Sequence, residues 1–327
     1  MTTYLVVVVG LIIFFIYMVR MPGDSYKAAL PPLDGSGQAV ARRLESHVRT
    51  LCSHPEGRNY IEKKGLALAR DYIVGQFRSS GYQVEFDVYQ IAGEDYANIE
   101  VMRLGEAYPD EIIVVGAHYD AVAGAPGAND NGSGVAALLE LADRFKGAVL
   151  PRSIRFVAFV NEEPPHFMTG TMGSDVYARQ VARRKENIIA MYSLETIGYF
   201  RDDADSQHYP LPFGLFYPNQ GNFIAFVGNL RSRSLVTRSV DAFRAHATFP
   251  SEGIAAPAFI PGINWSDHRS FWKQGYPAVM ITDTALYRYP YYHMPQDTPD
   301  KVGYDRMVYV VQGLEKMLVD LLQSKGK

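Results

Sequence analysis

Cysteine is nearly absent from the sequence, and neither sign of charge is in large excess. The 327 residues include one cysteine, Cys52, which excludes an intramolecular disulfide and a cluster of thiolate metal ligands. Lys and Arg number 32 against 35 Asp and Glu, and the formal net charge of -3 gives no global basic field for a phosphate backbone, so we expect no nucleic-acid partner. Since 47% of the residues are hydrophobic and 20% are charged, disorder is excluded, and one sizeable domain or two small ones are expected.

Long apolar runs are also scarce, and the exception is at residues 4–19, which contain no charged side chain. A helix of this length spans roughly 24 Å, short of the roughly 30 Å of a hydrocarbon core, but its two tyrosines suit the membrane interfaces. A buried core helix and a cleaved signal peptide are the alternatives. The run lacks a basic stretch before it and a small-residue cleavage pattern after Arg20, which favours an uncleaved anchor. We predict a transmembrane anchor over residues 1–20 and a Pro- and Gly-containing linker over residues 21–35.

Beyond residue 111 the sequence alternates continuous apolar runs with helical patterns. This alternation is typical of a parallel sheet that is covered on both faces. Two earlier segments with alternating polarity, 83–90 and 98–104, predict an antiparallel hairpin at a sheet edge. We therefore predict an α/β fold over residues 36–327, with a mixed, mainly parallel central sheet and helices on both faces. The other predicted strands are 112–117, 154–160, 188–194, 223–227 and 278–282, and the predicted helices include 40–51, 60–80, 134–145, 174–184, 234–245 and 310–321.

Residues that suit metal binding follow several of these strands. In open α/β sheets the ligand site lies beyond the carboxyl ends of the strands. The side chains found there are two histidines and several carboxylates, which is the composition of a two-zinc hydrolytic site with one bridging carboxylate. They are His118 and Asp120 after the first parallel strand, Asp130 in the Gly-rich turn that follows, Glu162 and Glu163 after the next strand, Glu195 after the third, and His293 beyond the last.

Each of these residues, taken alone, has an ordinary structural alternative. Asp130 could be a turn residue or a helix N-cap, and Glu195 could belong to a surface turn. Asp120 lies two residues after His118, so both side chains point to one side of an extended chain and the carboxylate could accept the imidazole N–H. The two neighbouring glutamates follow a buried strand, where one can bind metal while the other exchanges protons with water.

Several short motifs containing these residues follow one another along the chain. They are Gly116-Ala117-His118-Tyr119-Asp120, Gly127-Ala128-Asn129-Asp130-Asn131-Gly132-Ser133-Gly134, Asn161-Glu162-Glu163, Met172-Gly173-Ser174, Ser193-Leu194-Glu195, Ser266-Asp267-His268 and Tyr292-His293. In order and spacing they resemble the co-catalytic zinc aminopeptidases of peptidase clan MH, which include bacterial leucyl-type aminopeptidases and glutamate carboxypeptidase II. The resemblance spans roughly residues 36–325 and implies the aminopeptidase-like zinc exopeptidase fold.

The resemblance also implies a role for each matching residue. It implies two zinc ions, a carboxylate that bridges them, a general base acting on water, and a carboxylate that orients one histidine. By position these are Asp130 as the bridge, His118 and Glu195 for one ion, Glu163 and His293 for the other, Glu162 as the base, and Asp120 as the partner of His118.

The sequence departs from the family pattern at two places. Glu195 stands where many members have Asp, and because Glu is an acceptable oxygen ligand we expect altered geometry and not a lost ligand. The segment after Glu163 is longer than usual and carries a Pro-Pro pair before His166, which would contact substrate or be a partly exposed bystander. Three further residues have two interpretations each: Tyr292 as an oxyanion donor or a packing residue, His268 as a proton donor or the partner of a ligand, and Asp267 as a group near the metals or a helix N-cap.

The expected function is that of a zinc-dependent aminopeptidase acting on peptides. Two alternatives stay open: a glutaminyl cyclase, which has nearly the same ligands but binds one zinc, and a catalytically silent binding ectodomain. The family resemblance favours a catalytic domain outside the cytoplasm, periplasmic or extracellular, whereas Arg20 and Lys27 after the anchor weakly favour the opposite orientation.

Overall fold

The computed structural model describes residues 2–324, with side chains from residue 6 onward. Met1 and residues 325–327, the outer ends of the predicted anchor and of the predicted catalytic domain, lie outside the described residues. The helices are α1 (Thr2–Val19), α2 (Gly35–Leu51), α3 (Lys63–Ser79), α4 (Gly134–Phe145), α5 (Gly173–Arg183), α6 (Arg233–His246), α7 (His268–Lys273) and α8 (Tyr304–Gln323). The strands are β1 (Glu85–Ile91), β2 (Glu94–Arg103), β3 (Tyr108–His118), β4 (Arg152–Phe159), β5 (Asn187–Leu194), β6 (Ile224–Gly228), β7 (Ser251–Ala255) and β8 (Ala278–Thr282).

All eight of these strands form one sheet, in the order β1-β2-β4-β3-β5-β8-β6-β7. The central strands β4, β3, β5 and β8 pair in parallel, and β6 and β7 are parallel to each other. The pairs β1–β2, β2–β4 and β6–β8 are antiparallel. The predicted mixed, mainly parallel α/β sheet is therefore confirmed, as is the hairpin at its edge. Strand β7 was not predicted from the sequence.

The central strands are apolar on both sides because the sheet is covered on both faces. In β3, Ile113 and Val115 pack into the cluster that includes α2, α4, α6 and α8, whereas Ile112 and Val114 pack into a second cluster with α5 and α7. Burying such a side chain contributes roughly 1.5–3 kcal/mol, so alternate residues of one strand stabilise two separate layers.

The helices on the first face follow their predicted apolar stripes. Helix α2 begins after Asp34, whose Oδ1 accepts a hydrogen bond from the backbone N–H of Gly37 at 2.7 Å. This N-cap satisfies one of the donors that a helix start leaves unpaired. The stripe of α2 and that of α8 are buried against the core and include Val40, Leu44, Val48, Leu51, Val310, Leu314, Met317 and Leu318.

Helix α1 differs from the others because many of its apolar side chains are exposed. Val6 is 68% exposed and Ile13 is 62% exposed, whereas Met18 near the end of the helix is buried. Phe15 stacks on Phe216 with the ring centroids 5.7 Å apart, so the last turns of α1 contact the body of the protein. Among the described residues, the structure contains no helix with the length and apolar character required to span a membrane. The anchor over residues 1–20 therefore stays a prediction.

Candidate metal centre

Histidine and carboxylate side chains converge beyond the carboxyl ends of β3, β4 and β5. They form three groupings in which the candidate ligand atoms lie within 4.8 Å of one another. Two groupings share Asp130: its Oδ1 lies 3.4 Å from His118 Nε2, and its Oδ2 lies 3.1 Å from His293 Nε2. The two oxygens of one carboxylate therefore face two different histidines. The groupings are His118, Asp130 and Glu195; Asp130, Glu163 and His293; and His118, Glu162 and Glu163.

Each grouping that contains Asp130 also has its own second carboxylate. Glu195 Oε2 lies 3.2 Å from His118 Nε2, and Glu163 Oε2 lies 3.2 Å from His293 Nε2. Each set thus offers one imidazole nitrogen and two carboxylate oxygens, which are donors that zinc accepts.

Several polar atoms in this cluster are buried without a hydrogen-bond partner among the described residues. They are both ring nitrogens of His118, both carboxylate oxygens of Asp130, and Oε1 of Glu163. Buried polar groups are normally hydrogen-bonded, and leaving one unsatisfied costs about 1–3 kcal/mol. A bound divalent cation would satisfy Nε2 of His118 and the carboxylate oxygens, so the residues present fit a metal.

Asp120 connects the end of β3 to the end of β4. Its Oδ1 lies 3.5 Å from His118 Nδ1 and accepts a hydrogen bond from the backbone N–H of Glu162 at 3.1 Å. Its Oδ2 accepts a hydrogen bond from the backbone N–H of Glu163 at 3.0 Å. One buried carboxylate therefore lies beside a candidate ligand and fixes the backbone of both glutamates.

The two glutamates after β4 occupy different positions. Glu162 Oε2 lies 4.0 Å from His118 Nε2, and Glu162 belongs to neither grouping that contains Asp130. Burial raises the pKa of Glu162 well above its usual value, although charge on His118 opposes this, and burial raises the pKa of Glu163 to about 7. A carboxyl group with a raised pKa can take and release a proton near neutral pH.

The turn that carries Asp130 is held by residues outside the motifs. Asp297 accepts hydrogen bonds from the backbone N–H groups of Asn129 at 2.8 Å and Asp130 at 3.0 Å. The hydroxyl of Tyr289 donates to the same carboxylate at 2.6 Å. Asp297 therefore fixes the backbone on which the shared carboxylate is mounted.

Arg58 is fully buried and holds the segment that leads to Asp130. Its Nε donates to the carbonyl of Tyr119 at 2.8 Å, while Nη1 and Nη2 donate to the carbonyls of Pro126 and Gly127, both at 2.6 Å. Within the described residues no carboxylate pairs with this guanidinium, so its donors serve the backbone. The planar fork of arginine suits this arrangement because it reaches several acceptors at fixed angles.

The sequence profile "Peptidase family M28" matches residues 98–314, which is more than half of the chain. The chain belongs to peptidase family M28. This membership confirms the resemblance to zinc aminopeptidases that the motifs indicated.

Two relatives of this M28 peptidase are similar in sequence, one over nearly the whole chain and one over part of it. The uncharacterized protein YfbL of Escherichia coli strain K12 is 37% identical over 325 residues, which cover 95% of this chain and 98% of that protein. The aminopeptidase YwaD of Bacillus subtilis strain 168 is 27% identical over 205 residues, which cover 61% of this chain and 38% of that protein.

Solved structures share the fold of this M28 peptidase. LapB from Legionella pneumophila aligns with a TM-score of 0.69 at 20% identity and covers 95% of this chain and 80% of its own. A glutaminyl cyclase from Fimbriiglobus ruber aligns with a TM-score of 0.65 at 20% identity, covering 93% and 100% of the two chains. BSAP, a zinc aminopeptidase from Bacillus subtilis, aligns with a TM-score of 0.54 at 22% identity. The alignment covers 72% of this chain and 53% of the BSAP chain.

Of the residues with open roles, Tyr292 lies beside the candidate metal centre and His166 lies in the loop after Glu163. Tyr292 stacks on His293 with the ring centroids 3.9 Å apart, and it lines a cleft together with Glu195. His166 is 9% exposed, and its Nδ1 lies 2.9 Å from Thr171 Oγ1. His166 therefore packs within the Pro-Pro loop and does not stand free in solvent.

Asp267 and His268 are both fully buried. Asp267 occupies the N-cap position of α7, but its side chain accepts no capping hydrogen bond. Both of its carboxylate oxygens lack partners among the described residues, and burial raises its pKa to about 7. His268 Nε2 lies 2.8 Å from the carbonyl oxygen of Ile263, and His268 belongs to none of the three groupings.

Sequence reasoning missed four residues that support the site: Arg58, Ser266, Asp283 and Asp297. Ser266 donates to Glu195 Oε2 at 2.7 Å, and its place in the Ser266-Asp267-His268 motif was a usable signal. Asp283 accepts a hydrogen bond from Asn129 Nδ2 at 2.9 Å and follows β8 directly, so the strand-end rule was able to find it. Arg58 and Asp297 lie in loops and carried no such signal.

Replacing Arg58 by lysine should weaken metal binding. A lysine ammonium cannot contact the three carbonyls in the same geometry, so the segment before Asp130 would shift. We expect a 10–100-fold loss of zinc affinity, the scale found when outer partners of metal ligands are changed. Competition with a chelator measures this. Arg42→Lys, at an exposed position of α2, is the matched control. Equal zinc affinity of both variants would contradict the role of Arg58.

Proposed function

We propose that this M28 peptidase is a zinc aminopeptidase that removes N-terminal residues from peptides and binds two zinc ions. The observation that carries the proposal is that the two carboxylate oxygens of Asp130 face two different histidine–carboxylate pairs. His118 with Glu195 would hold one ion, and Glu163 with His293 would hold the other. The name of the relative YwaD supports aminopeptidase activity, and the name of BSAP supports zinc.

The proposed chemistry depends on the protein groups around the reacting peptide. Bound zinc would supply a Lewis acid that polarises the carbonyl and lowers the pKa of water. Glu162 takes a proton from the attacking water and returns it to the leaving amine. Asp120 keeps Glu162 in place through the backbone. Burial raises the pKa of Tyr292, so its hydroxyl keeps its proton and can donate to the oxyanion.

A single-zinc glutaminyl cyclase is the second candidate, because a cyclase shares the fold at full coverage of its own chain. The two candidates differ in the number of ions that Asp130 contacts. A catalytically silent ectodomain is less well supported, since the matching positions retain both histidines and all the carboxylates expected of a working centre.

We also propose that residues 1–20 anchor the enzyme in a membrane and that the catalytic domain lies outside the cytoplasm. The exposed apolar side chains of α1 support the anchor, because apolar surface of this extent is unfavourable in water. Family resemblance supports the orientation.

Glu162→Gln should abolish turnover while both zinc ions stay bound. The amide keeps the shape of the side chain but cannot accept the proton, and losing a general base costs roughly 10²–10⁴-fold in kcat. Hydrolysis of an aminoacyl amide, with elemental analysis of the same sample, measures both quantities.

Glu163→Gln is the matched control for this prediction, since it alters a proposed ligand one residue away. It should lower the zinc content, in contrast to the change at Glu162. Near-normal turnover of the Glu162→Gln variant, or loss of zinc from it, would contradict the assignment of Glu162 as the general base.

Asp130→Ala should cost both zinc ions, whereas His293→Ala should chiefly weaken one. The reason is that the carboxylate of Asp130 faces both histidines, while His293 faces one side only. Zinc content after gel filtration separates the two outcomes. One tightly held zinc in the Asp130→Ala variant would argue against a bridge and favour the cyclase.

The full-length protein should fractionate with membranes and resist extraction by high salt. Apolar burial is not screened by ions, in contrast to adsorption by charge. A variant lacking residues 2–13 is the control and should be soluble, because it keeps Phe15 and Met18, which pack on the body of the protein.

Protease added to spheroplasts tests the orientation of the same protein. The catalytic domain should be digested without permeabilisation. Full-length protein in the soluble fraction would contradict the anchor, and a domain protected until the membrane is opened would contradict the orientation.

A further inference from the structure

A cleft lies next to the candidate metal centre, on one face of the sheet. Glu195 and Tyr292 are the lining residues nearest the metal ligands. Its walls are largely apolar and include Phe213, Ile260 and Trp265. No lysine, arginine or histidine is among the described residues that line it, and its second carboxylate is Glu252.

The strand register places Glu252 in a row with the metal centre. Leu194 pairs with Ile281, so Glu195 stands beside Thr282. Thr282 pairs with Ala225, and Ala225 pairs with Glu252. Four neighbouring strands therefore present these positions side by side, and all four line the cleft. Three strand spacings separate Glu195 from Glu252, a distance of about 14 Å between their backbones.

The carboxylate of Glu252 is poorly satisfied by the protein. Within the described residues no group donates a hydrogen bond to it, and its ion-pair contact is Arg244 Nη2 at 3.5 Å. The side chain is 25% exposed, and burial raises its pKa although Arg244 and Lys27 oppose this. A partly buried carboxylate without hydrogen bonds is costly, and a donor entering the cleft would relieve that cost.

Glu252 also lines a second pocket with Lys27 and Arg306, but no cation lines the apolar cleft within the described residues. Arg244 donates to the carbonyls of Pro22, Gly23 and Ser251, so its guanidinium is held by the backbone behind β7. Lys27 is exposed on the linker. The aromatic side chains of Tyr209 and Tyr217 line the cleft together with Glu252.

We propose that Glu252 makes this enzyme selective for peptides whose N-terminal residue has a long, positively charged side chain, lysine or arginine. This inference rests on the proposed aminopeptidase function. The methylene stem packs against the apolar walls while the terminal cation pairs with Glu252 at the far end. A shorter cationic side chain leaves the ion pair unformed, and an uncharged side chain of equal length leaves the carboxylate unsatisfied.

The full-length, zinc-loaded enzyme tests the proposal with four amides of one chromogenic amine. The N-terminal residues are lysine, arginine, ornithine and norleucine, which vary charge and length separately. We expect kcat/KM for the lysyl and arginyl substrates to exceed that for the norleucyl substrate at least tenfold. The ornithyl substrate should fall below the lysyl one, because its stem is one methylene shorter.

Glu252→Gln tests the residue itself. It removes the charge at constant size, so the lysyl-to-norleucyl ratio of kcat/KM should fall at least tenfold. Glu106→Gln removes an exposed carboxylate that does not line the cleft and should leave the ratio unchanged. If the Glu252→Gln variant fails to fold, the comparison of the four substrates on the unaltered enzyme still tests the proposal.

The outcomes separate this inference from the function on which it rests. Efficient cleavage of the norleucyl substrate without preference for lysine, or an unchanged ratio in the Glu252→Gln variant, overturns the role of Glu252 and leaves the aminopeptidase in place. An unaltered enzyme that cleaves none of the four substrates overturns the proposed function and this inference together.

Discussion

The mutual repulsion of five buried carboxylates is the constraint on which the rest of this structure depends. Four of them belong to the metal-binding groupings, in which the basic side chains are two histidines, and the fifth lies beside one of these histidines. Two like charges 4 Å apart repel by about 4 kcal/mol at an effective dielectric constant of 20. Such a cluster favours divalent cations, and metal binding then contributes directly to folding stability. The five are Asp120, Asp130, Glu162, Glu163 and Glu195.

Groups that contact the main chain hold the cluster in place. The guanidinium of Arg58 donates hydrogen bonds to backbone carbonyls. The carboxylate of Asp297 accepts hydrogen bonds from backbone N–H groups of the turn that carries Asp130. Both act on the main chain and leave the oxygens of Asp130 free of hydrogen bonds among the described residues. Fixing the backbone while the side-chain donors stay open is what a preorganised metal site requires.

Periodicity and strand-end position predicted most of the fold and most of the candidate cluster. The apolar strands are recognisable in the sequence because both faces of the sheet are buried. His118 and Glu195 stand where such strands end, and Asp130 stands in the Gly-rich turn after the first of them. The role of Asp297 was not predictable from the sequence, because its contact with Asp130 joins residues 167 positions apart and leaves no local pattern. Strand β7 escaped for another reason: its five residues include Glu252 and a glycine, so they lack a continuous apolar run.

The reversal of strand direction in the sheet explains why Glu252 reaches the metal edge. Strands β5 and β8 run in parallel, and their carboxyl ends lie at Glu195 and Thr282. Because β6 is antiparallel to β8, the first residues of β6 and of its parallel partner β7 lie at that same edge. A search limited to residues that follow strands therefore finds Glu195 but passes over Glu252, which stands at the start of a strand. In a mixed sheet, both kinds of strand end supply groups to one cleft.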